Sequence, residues 1–125
     1  MEQLLLHLIG DYLTQTHWMA TEKTKRTWAA FCHATVYALP FALLTRSPAA
    51  LFVIWSTHLV IDRYRLARYV TFAKNWTTDR SLTWSDCSVT GFHKDVPAWL
   101  AVWLLIIADN TMHLCINYAA LRWLS

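Results

Sequence analysis

Long apolar runs separated by short polar segments dominate the chain. Three runs are almost free of Asp, Glu, Lys and Arg, and a fourth, near residue 1, is weaker because it contains polar side chains such as His7 and Asp11. A helix that crosses a membrane needs about 17–25 mostly apolar residues. The pattern therefore predicts an all-α integral membrane bundle of about four helices, in a single domain over residues 1–125. The predicted helices cover about residues 3–22, 27–45, 48–72 and 96–122, and a polar loop covers 74–95.

The composition agrees with a membrane protein and excludes several other classes. Hydrophobic residues make up 56% of the 125 residues and charged residues 15%, whereas a soluble domain has roughly 45–50% and 25%. Eight tryptophans are typical of a chain that meets membrane interfaces. The three cysteines form no CxxC pair, so they indicate neither a disulfide framework nor a zinc knuckle. No basic cluster alternates with aromatic residues, so we expect no nucleic-acid partner.

The distribution of lysine and arginine predicts the orientation of the bundle. Cytoplasmic loops carry the excess of these residues, and nine of the eleven lie in or beside the first and third connections. Only Arg46 and Arg122 fall on the opposite side. We therefore expect both termini outside, a multi-pass location in a bacterial inner membrane, and membrane lipid as a partner. The nine are Lys23, Lys25, Arg26, Arg63, Arg65, Arg68, Lys74, Arg80 and Lys94.

Three of the predicted helices carry a histidine and an aspartate four positions apart. Residues at this spacing project from one face of a helix. A charged side chain at the centre of a membrane helix costs about 2.5–3.5 kcal/mol on insertion scales, and such residues usually mark function. In the predicted topology each pair places its histidine toward the outside, so the aspartates would form one tier beneath a tier of imidazoles. The pairs are His7 with Asp11, His58 with Asp62, and Asp109 with His113, and the second helix adds His33.

The grouped carboxylates favour a metal site over a purely structural network. Carboxylates that lie together repel one another unless they are protonated or bridged by a cation. Mixed His and Asp ligands suit Zn, Mn or Fe, and the set is large enough for one or two divalent ions. The alternative is a polar network of His-to-Asp hydrogen bonds, each worth only about 0.6 kcal/mol in a membrane bundle. The candidate metal ligands are His7, Asp11, His58, Asp62, Asp109 and His113.

Arginines follow the second aspartate of the set. Arg63, Arg65 and Arg68 lie within two helical turns of Asp62, provided that the third predicted helix continues to about Val70. Arginine suits the recognition of phosphate, so Arg63 and Arg65 are candidates for holding an anionic substrate. The alternative is that these arginines are interfacial anchors that follow the charge bias. We assign His33 as a further ligand or as a catalytic base.

The His and Asp segments resemble those of a family of small bacterial and phage membrane proteins classed as a domain of unknown function. Its pattern is H-x-x-x-D-x-x-x-Q near the start, a lone His in the second helix, H-x-x-x-D in the third and D-[QN]-x-x-H in the last. The resemblance covers essentially the whole chain. A looser similarity to membrane-bound metal-dependent hydrolases is the only source of a hydrolase assignment, and it is an analogy of fold. The matching residues are His7, Asp11, Gln15, His33, His58, Asp62, Asp109, Asn110 and His113.

Two classes of function stay open at this point. One is a metal-dependent hydrolase in the membrane that acts on a phosphoester or lipid-linked anionic substrate. The other is a non-enzymatic membrane protein with a buried His/Asp network, either a bundle that conducts ions or protons or a phage-type protein that interacts with the host envelope. A hydrolase needs a metal position open to substrate, and a conducting bundle needs a continuous polar path.

Overall fold

The computed structural model describes all of residues 1–125 and contains helices without strands. The all-α prediction is therefore confirmed. A π-helical turn, Ile9–Leu13, extends the first α-helix, and a 3-10 turn, Leu39–Leu43, extends the third. The α-helices are α1 (Glu2–Leu8), α2 (His17–Glu22), α3 (Thr27–Ala38), α4 (Pro48–Tyr64), α5 (Leu66–Thr78), α6 (Trp84–Cys87) and α7 (Ala98–Trp123).

The helix predicted over residues 3–22 is interrupted in the structure. The π-helical turn ends at Leu13, and α2 begins after Thr16, whose extended backbone leaves the helical path. The Thr16 hydroxyl accepts a hydrogen bond from the backbone N–H of Met19 at 3.3 Å, which is the usual way in which threonine caps a helix. The polar residues of this segment therefore end one helix and start another.

The helix predicted over residues 48–72 is also two helices. Arg65, between α4 and α5, has φ of 53°, a left-handed conformation that is uncommon for a residue other than glycine. Its guanidinium donates to the backbone carbonyl of Val89 at 2.9 Å, and Arg68 donates to the carbonyl of Ser88 at 2.9 Å. These bonds tie the start of α5 to the segment around Val89. The helix is therefore interrupted at Arg65, in contrast to the expectation of a continuous helix to Val70.

The chain divides into two compact units, residues 1–64 with 113–125 and residues 65–112. In the first unit Tyr37, Phe41 and Ile54 form the centre of an apolar core and are fully buried. The helices α3 and α4 pack against each other, and small residues are among their buried positions. The single-domain assignment of residues 1–125 stays a prediction. The buried small residues of α3 and α4 are Ala29, Ala30, Ala34, Ala38 and Ala50.

The second unit is built on α5, α6 and the loop that follows. Trp84 stacks on Tyr69, with ring centroids 4.7 Å apart. Gly91 has φ of 86° and packs so closely on α5 that a side chain would overlap the backbone there. The Lys94 ammonium lies 2.8 Å from Asp86 and holds the pKa of that carboxyl below its ordinary value. The predicted polar loop 74–95 therefore contains the end of α5 and the short helix α6.

The helix α7 is long and apolar enough to cross a membrane. It has 26 residues, and only 11% of its most apolar 18-residue stretch is buried within the protein. Residues 27–43 form a shorter apolar helix. By length and composition one helix meets the requirement for a span, so the prediction of four spans is not confirmed.

Candidate metal centre

Two aspartates and two histidines meet in the interior of the first unit. Asp11 comes from the π-helical turn, His33 from α3, and His58 and Asp62 from α4. The Nε2 atom of His33 lies 3.1 Å from Asp11 Oδ1 and 3.2 Å from Asp62 Oδ2. The Nε2 atom of His58 lies 3.3 Å from each of the same two oxygens. All four side chains are buried. Three separate helical elements therefore bring two carboxylates and two imidazoles together inside the protein.

The separations of these atoms match those of ligands around one ion. Bonds of about 2.0–2.1 Å, as in zinc sites, place tetrahedral ligands about 3.3–3.4 Å apart. A six-coordinate ion with bonds near 2.1 Å brings neighbouring ligands to about 3.0 Å. The nitrogen–oxygen distances of 3.1–3.3 Å fall in this range, and the 2.9 Å between the two Nε2 atoms lies just below it. The four groups are therefore positioned to hold a metal ion.

Hydrogen bonding within the protein leaves part of this group unsatisfied. Asp62 Oδ2 is buried and accepts no hydrogen bond of acceptable geometry, although His33, His58 and Lys23 each bring a nitrogen within 3.3 Å. Two imidazole Nε2 atoms that face each other at 2.9 Å need a proton or a cation between them, because two lone pairs repel. An ion bound to both Nε2 atoms and to Asp62 Oδ2 would separate the two nitrogen lone pairs and give the buried oxygen a partner. It would leave unsatisfied the Nδ1 atoms of His33 and His58, which are buried without a partner.

The arrangement corrects the prediction of separate tiers. The Nε2 atoms of His33 and His58 each contact both carboxylates, so imidazoles and carboxylates meet at one centre and do not form two tiers. A nitrogen that contacts both carboxylates lowers the repulsion that a tier of carboxylates alone would suffer.

The outer oxygens of the two aspartates contact further histidines. The Nε2 atom of His113, on α7, lies 3.2 Å from Asp62 Oδ1. The Nδ1 atom of His7, on α1, lies 3.5 Å from Asp11 Oδ2. Groups that bind the second oxygen of a carboxylate ligand orient it toward the metal. Two of the six candidate ligands therefore contact the four-residue group from outside, and their assignment as direct ligands stays a prediction.

Tyr37 is a central residue of the site that the sequence analysis missed. Its side chain is fully buried, and its ring stacks on His58 with centroids 3.6 Å apart. Its hydroxyl lies 2.8 Å from His7 Nδ1 and accepts a hydrogen bond from Asn117 Nδ2 at 2.6 Å. The sequence could have indicated Tyr37, because a spacing of four residues places it on the same helix face as His33.

The π-helical turn gives Asp11 its position. Such turns are rare and often lie at functional sites. Gln15, which follows the turn, donates through Nε2 to the backbone carbonyl of Asp11 at 3.0 Å, and Thr14 donates to the carbonyl of Gly10 at 3.2 Å. A side chain at Gly10 would meet Tyr37 at 2.5 Å. The turn therefore packs directly against Tyr37, and the glutamine of the motif supports the backbone.

The remaining candidate residues are Asp109, Arg63 and Arg65. Asp109 is half-buried on α7, one turn before His113. Arg63 donates through Nη1 to the backbone carbonyl of Thr24 at 2.8 Å, and Arg65 donates to that of Val89. Their roles as metal ligand and substrate-binding residues stay predictions.

Residues 1–121 match the family described as protein of unknown function (DUF3307). The chain belongs to the DUF3307 family. This match confirms the resemblance to a domain of unknown function over essentially the whole chain. No curated protein and no solved structure matches the chain. Membership in DUF3307 names no activity, so the site itself is the guide to function.

Proposed function

We propose that this DUF3307 protein is a membrane-embedded protein that binds one divalent transition-metal ion through Asp11, His33, His58 and Asp62. The convergence of four buried ligand atoms, with separations of 2.9–3.3 Å where they are measured, carries this proposal. Two carboxylates balance the charge of a divalent ion, and mixed imidazole and carboxylate ligands suit Zn, Mn or Fe. His113 and Tyr37 support the group from the outside.

The distribution of polar and apolar side chains supports a membrane location. The interior of the first unit holds histidines, aspartates and Asn117, whereas large apolar side chains such as Leu43 and Trp123 are 82% and 73% exposed. A soluble protein rarely leaves extended apolar surface uncovered. In a bilayer the same surface faces lipid, and the polar groups satisfy one another inside. The four-span bundle in a bacterial inner membrane, with both termini outside, is the arrangement that we propose.

Accessibility to an impermeant thiol reagent tests this topology. In a background without Cys32, Cys87 and Cys115, we expect Ala49→Cys to react in intact spheroplasts and Ser81→Cys to react only after lysis. Both positions are exposed in the protein, so a difference would report the side of the membrane. The reverse labelling pattern would contradict the inward placement of the connection that contains Ser81.

The coordination number of the ion decides between an enzyme and a structural or conducting protein. A zinc ion with four protein ligands is closed, as in structural sites. An ion that prefers six ligands, such as Mn or Fe, would have room for water and substrate beside the same four residues. Held by Asp11, His33, His58 and Asp62, it would supply a nucleophile by lowering the pKa of a bound water. Hydrolysis of a phosphoester or lipid-linked anionic substrate is therefore the finer proposal, and it requires a six-coordinate ion.

Metal analysis of the protein purified in a non-ionic detergent tests the proposal. We expect about one divalent ion per chain, lost on chelation and restored by adding Mn, Fe or Zn. Turnover of phosphoesters by the Mn or Fe form but not by the Zn form would support hydrolysis. A folded protein that takes up no ion under these conditions would instead indicate the polar network considered above.

A further inference from the structure

Lys23 is the lysine that contacts the metal-binding group. Its Nζ lies 2.6 Å from Asp62 Oδ2 and 3.3 Å from His33 Nε2, which are two of the four proposed ligand atoms. The side chain of Lys23 is 19% exposed, whereas Asp62 is 4% and His33 0% exposed. Lys23 therefore links the buried group to the protein surface.

Hydrogen bonds hold the connection between α2 and α3, which carries Lys23, next to the metal site. Arg63, which follows Asp62 on α4, donates through Nη1 to the carbonyl of Thr24 at 2.8 Å and through Nε to the hydroxyl of Thr27 at 3.3 Å. The neighbouring cation Lys25 pairs instead with Glu22, 3.5 Å away. The bonds to Thr24 and Thr27 therefore hold the connection next to Lys23, and Arg63 is a positioning residue for this connection.

The charges around Lys23 change sign when a divalent ion binds. With neutral histidines, two aspartates and one lysine give the group a net charge of about −1, and a divalent ion raises it to about +1. An ion on Asp62 Oδ2 also competes with the ammonium for that oxygen, which leaves N–H donors of Lys23 available. A net positive charge in a site that is only slightly exposed favours an anion as its partner.

We propose, on the basis of the metal site proposed above, that Lys23 binds the anionic group of a ligand that occupies the metal centre, an oxyanion of the phosphate type. A lysine ammonium binds phosphate as a point charge. The arginines suggested by the sequence are engaged elsewhere, because Arg63 and Arg65 donate to backbone carbonyls. Lys23 thus contacts Asp62 when the metal is absent and an anion when the metal is present.

Cobalt binding to the full chain in a non-ionic detergent tests this exchange of partners. Visible absorption follows Co²⁺ in the site, and inorganic phosphate or micelles that contain phosphatidic acid are then added. We expect Lys23→Met to bind Co²⁺ at least as tightly as the wild type, because a competing cation is removed. We expect its affinity for the anion to fall about tenfold or more, the usual cost of a lost hydrogen bond to a charged group. Lys23→Arg should retain part of the anion affinity, and Lys25→Met should leave both affinities unchanged.

The outcomes separate the two proposals. A wild type that binds no Co²⁺ would contradict the metal site itself. Normal Co²⁺ binding with equal anion affinity in the wild type and Lys23→Met would overturn the role of Lys23, as would a wild-type spectrum that neither anion changes. Loss of Co²⁺ binding in both Lys23 variants would also overturn it, because the lysine would then be needed to assemble the group. An effect on phosphate alone supports a soluble ligand, and an effect on phosphatidic acid alone supports a lipid headgroup.

Discussion

Replacing Asp62 with asparagine is expected to abolish stoichiometric metal binding. One oxygen of Asp62 contacts His33, His58 and Lys23, and the other contacts His113. Asparagine keeps the volume but removes the charge that balances the ion. The affinity should therefore fall by more than the 10–100-fold that is typical when a partner of a ligand is lost. Metal content after purification and Co²⁺ titration measure the effect.

Asp86→Asn is the matched control for this substitution. Asp86 carries the same charge but lies in the second unit, where it pairs with Lys94 at 2.8 Å. Its replacement should leave metal content unchanged, and circular dichroism should confirm that both variants keep their helices. Full metal content in a folded Asp62→Asn protein would show that the carboxylate is not a ligand.

Replacing Tyr37 with alanine is expected to cause the largest loss of stability. The ring is fully buried in the core and stacks on His58, and truncation of a buried aromatic residue costs about 3–5 kcal/mol. Tyr37→Phe keeps the ring and removes only the hydroxyl shared by His7 and Asn117, so we expect a smaller loss of about 1–3 kcal/mol. Thermal unfolding in detergent, followed by circular dichroism, measures both.

Metal affinity shows whether Tyr37 only packs in the core or also positions the residues around the metal site. His7 contacts both the tyrosine hydroxyl and Asp11. Direct partners of a ligand contribute about 10–100-fold to metal affinity, so Tyr37→Phe, which acts through His7, should weaken metal binding by at most about 10-fold. The control is Tyr118→Ala, which removes a tyrosine that is 57% exposed on α7 and should change neither quantity. Unchanged metal affinity in Tyr37→Phe would limit the tyrosine to packing.

The residues that meet in the site could be found in the sequence because their pattern is periodic. The pairs His7 with Asp11 and His58 with Asp62 follow helical spacing, and polar residues in apolar helices must find partners. The structure brings Asp11, His58 and Asp62 together with His33, the histidine of the second predicted helix that the sequence suggests as a further ligand or a base. The all-α class followed from the same periodicity.

The features that the sequence did not reveal depend on contacts between distant segments. Lys23 lies outside a repeating pattern, and its distance from Asp62 depends on the bonds that Arg63 makes to the connection between α2 and α3. The helix break at Arg65 has neither glycine nor proline to mark it, and Arg65 itself is bonded to the distant residue Val89. Such effects arise from tertiary packing, which overrides local preference.

The π-helical turn at Ile9–Leu13 sets the number of residues that this part of the chain can have. A π-helical turn holds one residue more than the α-helical turn it replaces, so deletion of one residue would let the segment close as an ordinary helix. Helix content would be kept, but the side chains before and after the deletion would rotate by about 100° relative to each other about the helix axis. Asp11 would then turn away either from His33 or from His7. Insertions and deletions should therefore be rare between His7 and Gln15 in DUF3307 sequences, and more frequent in the connection before α7.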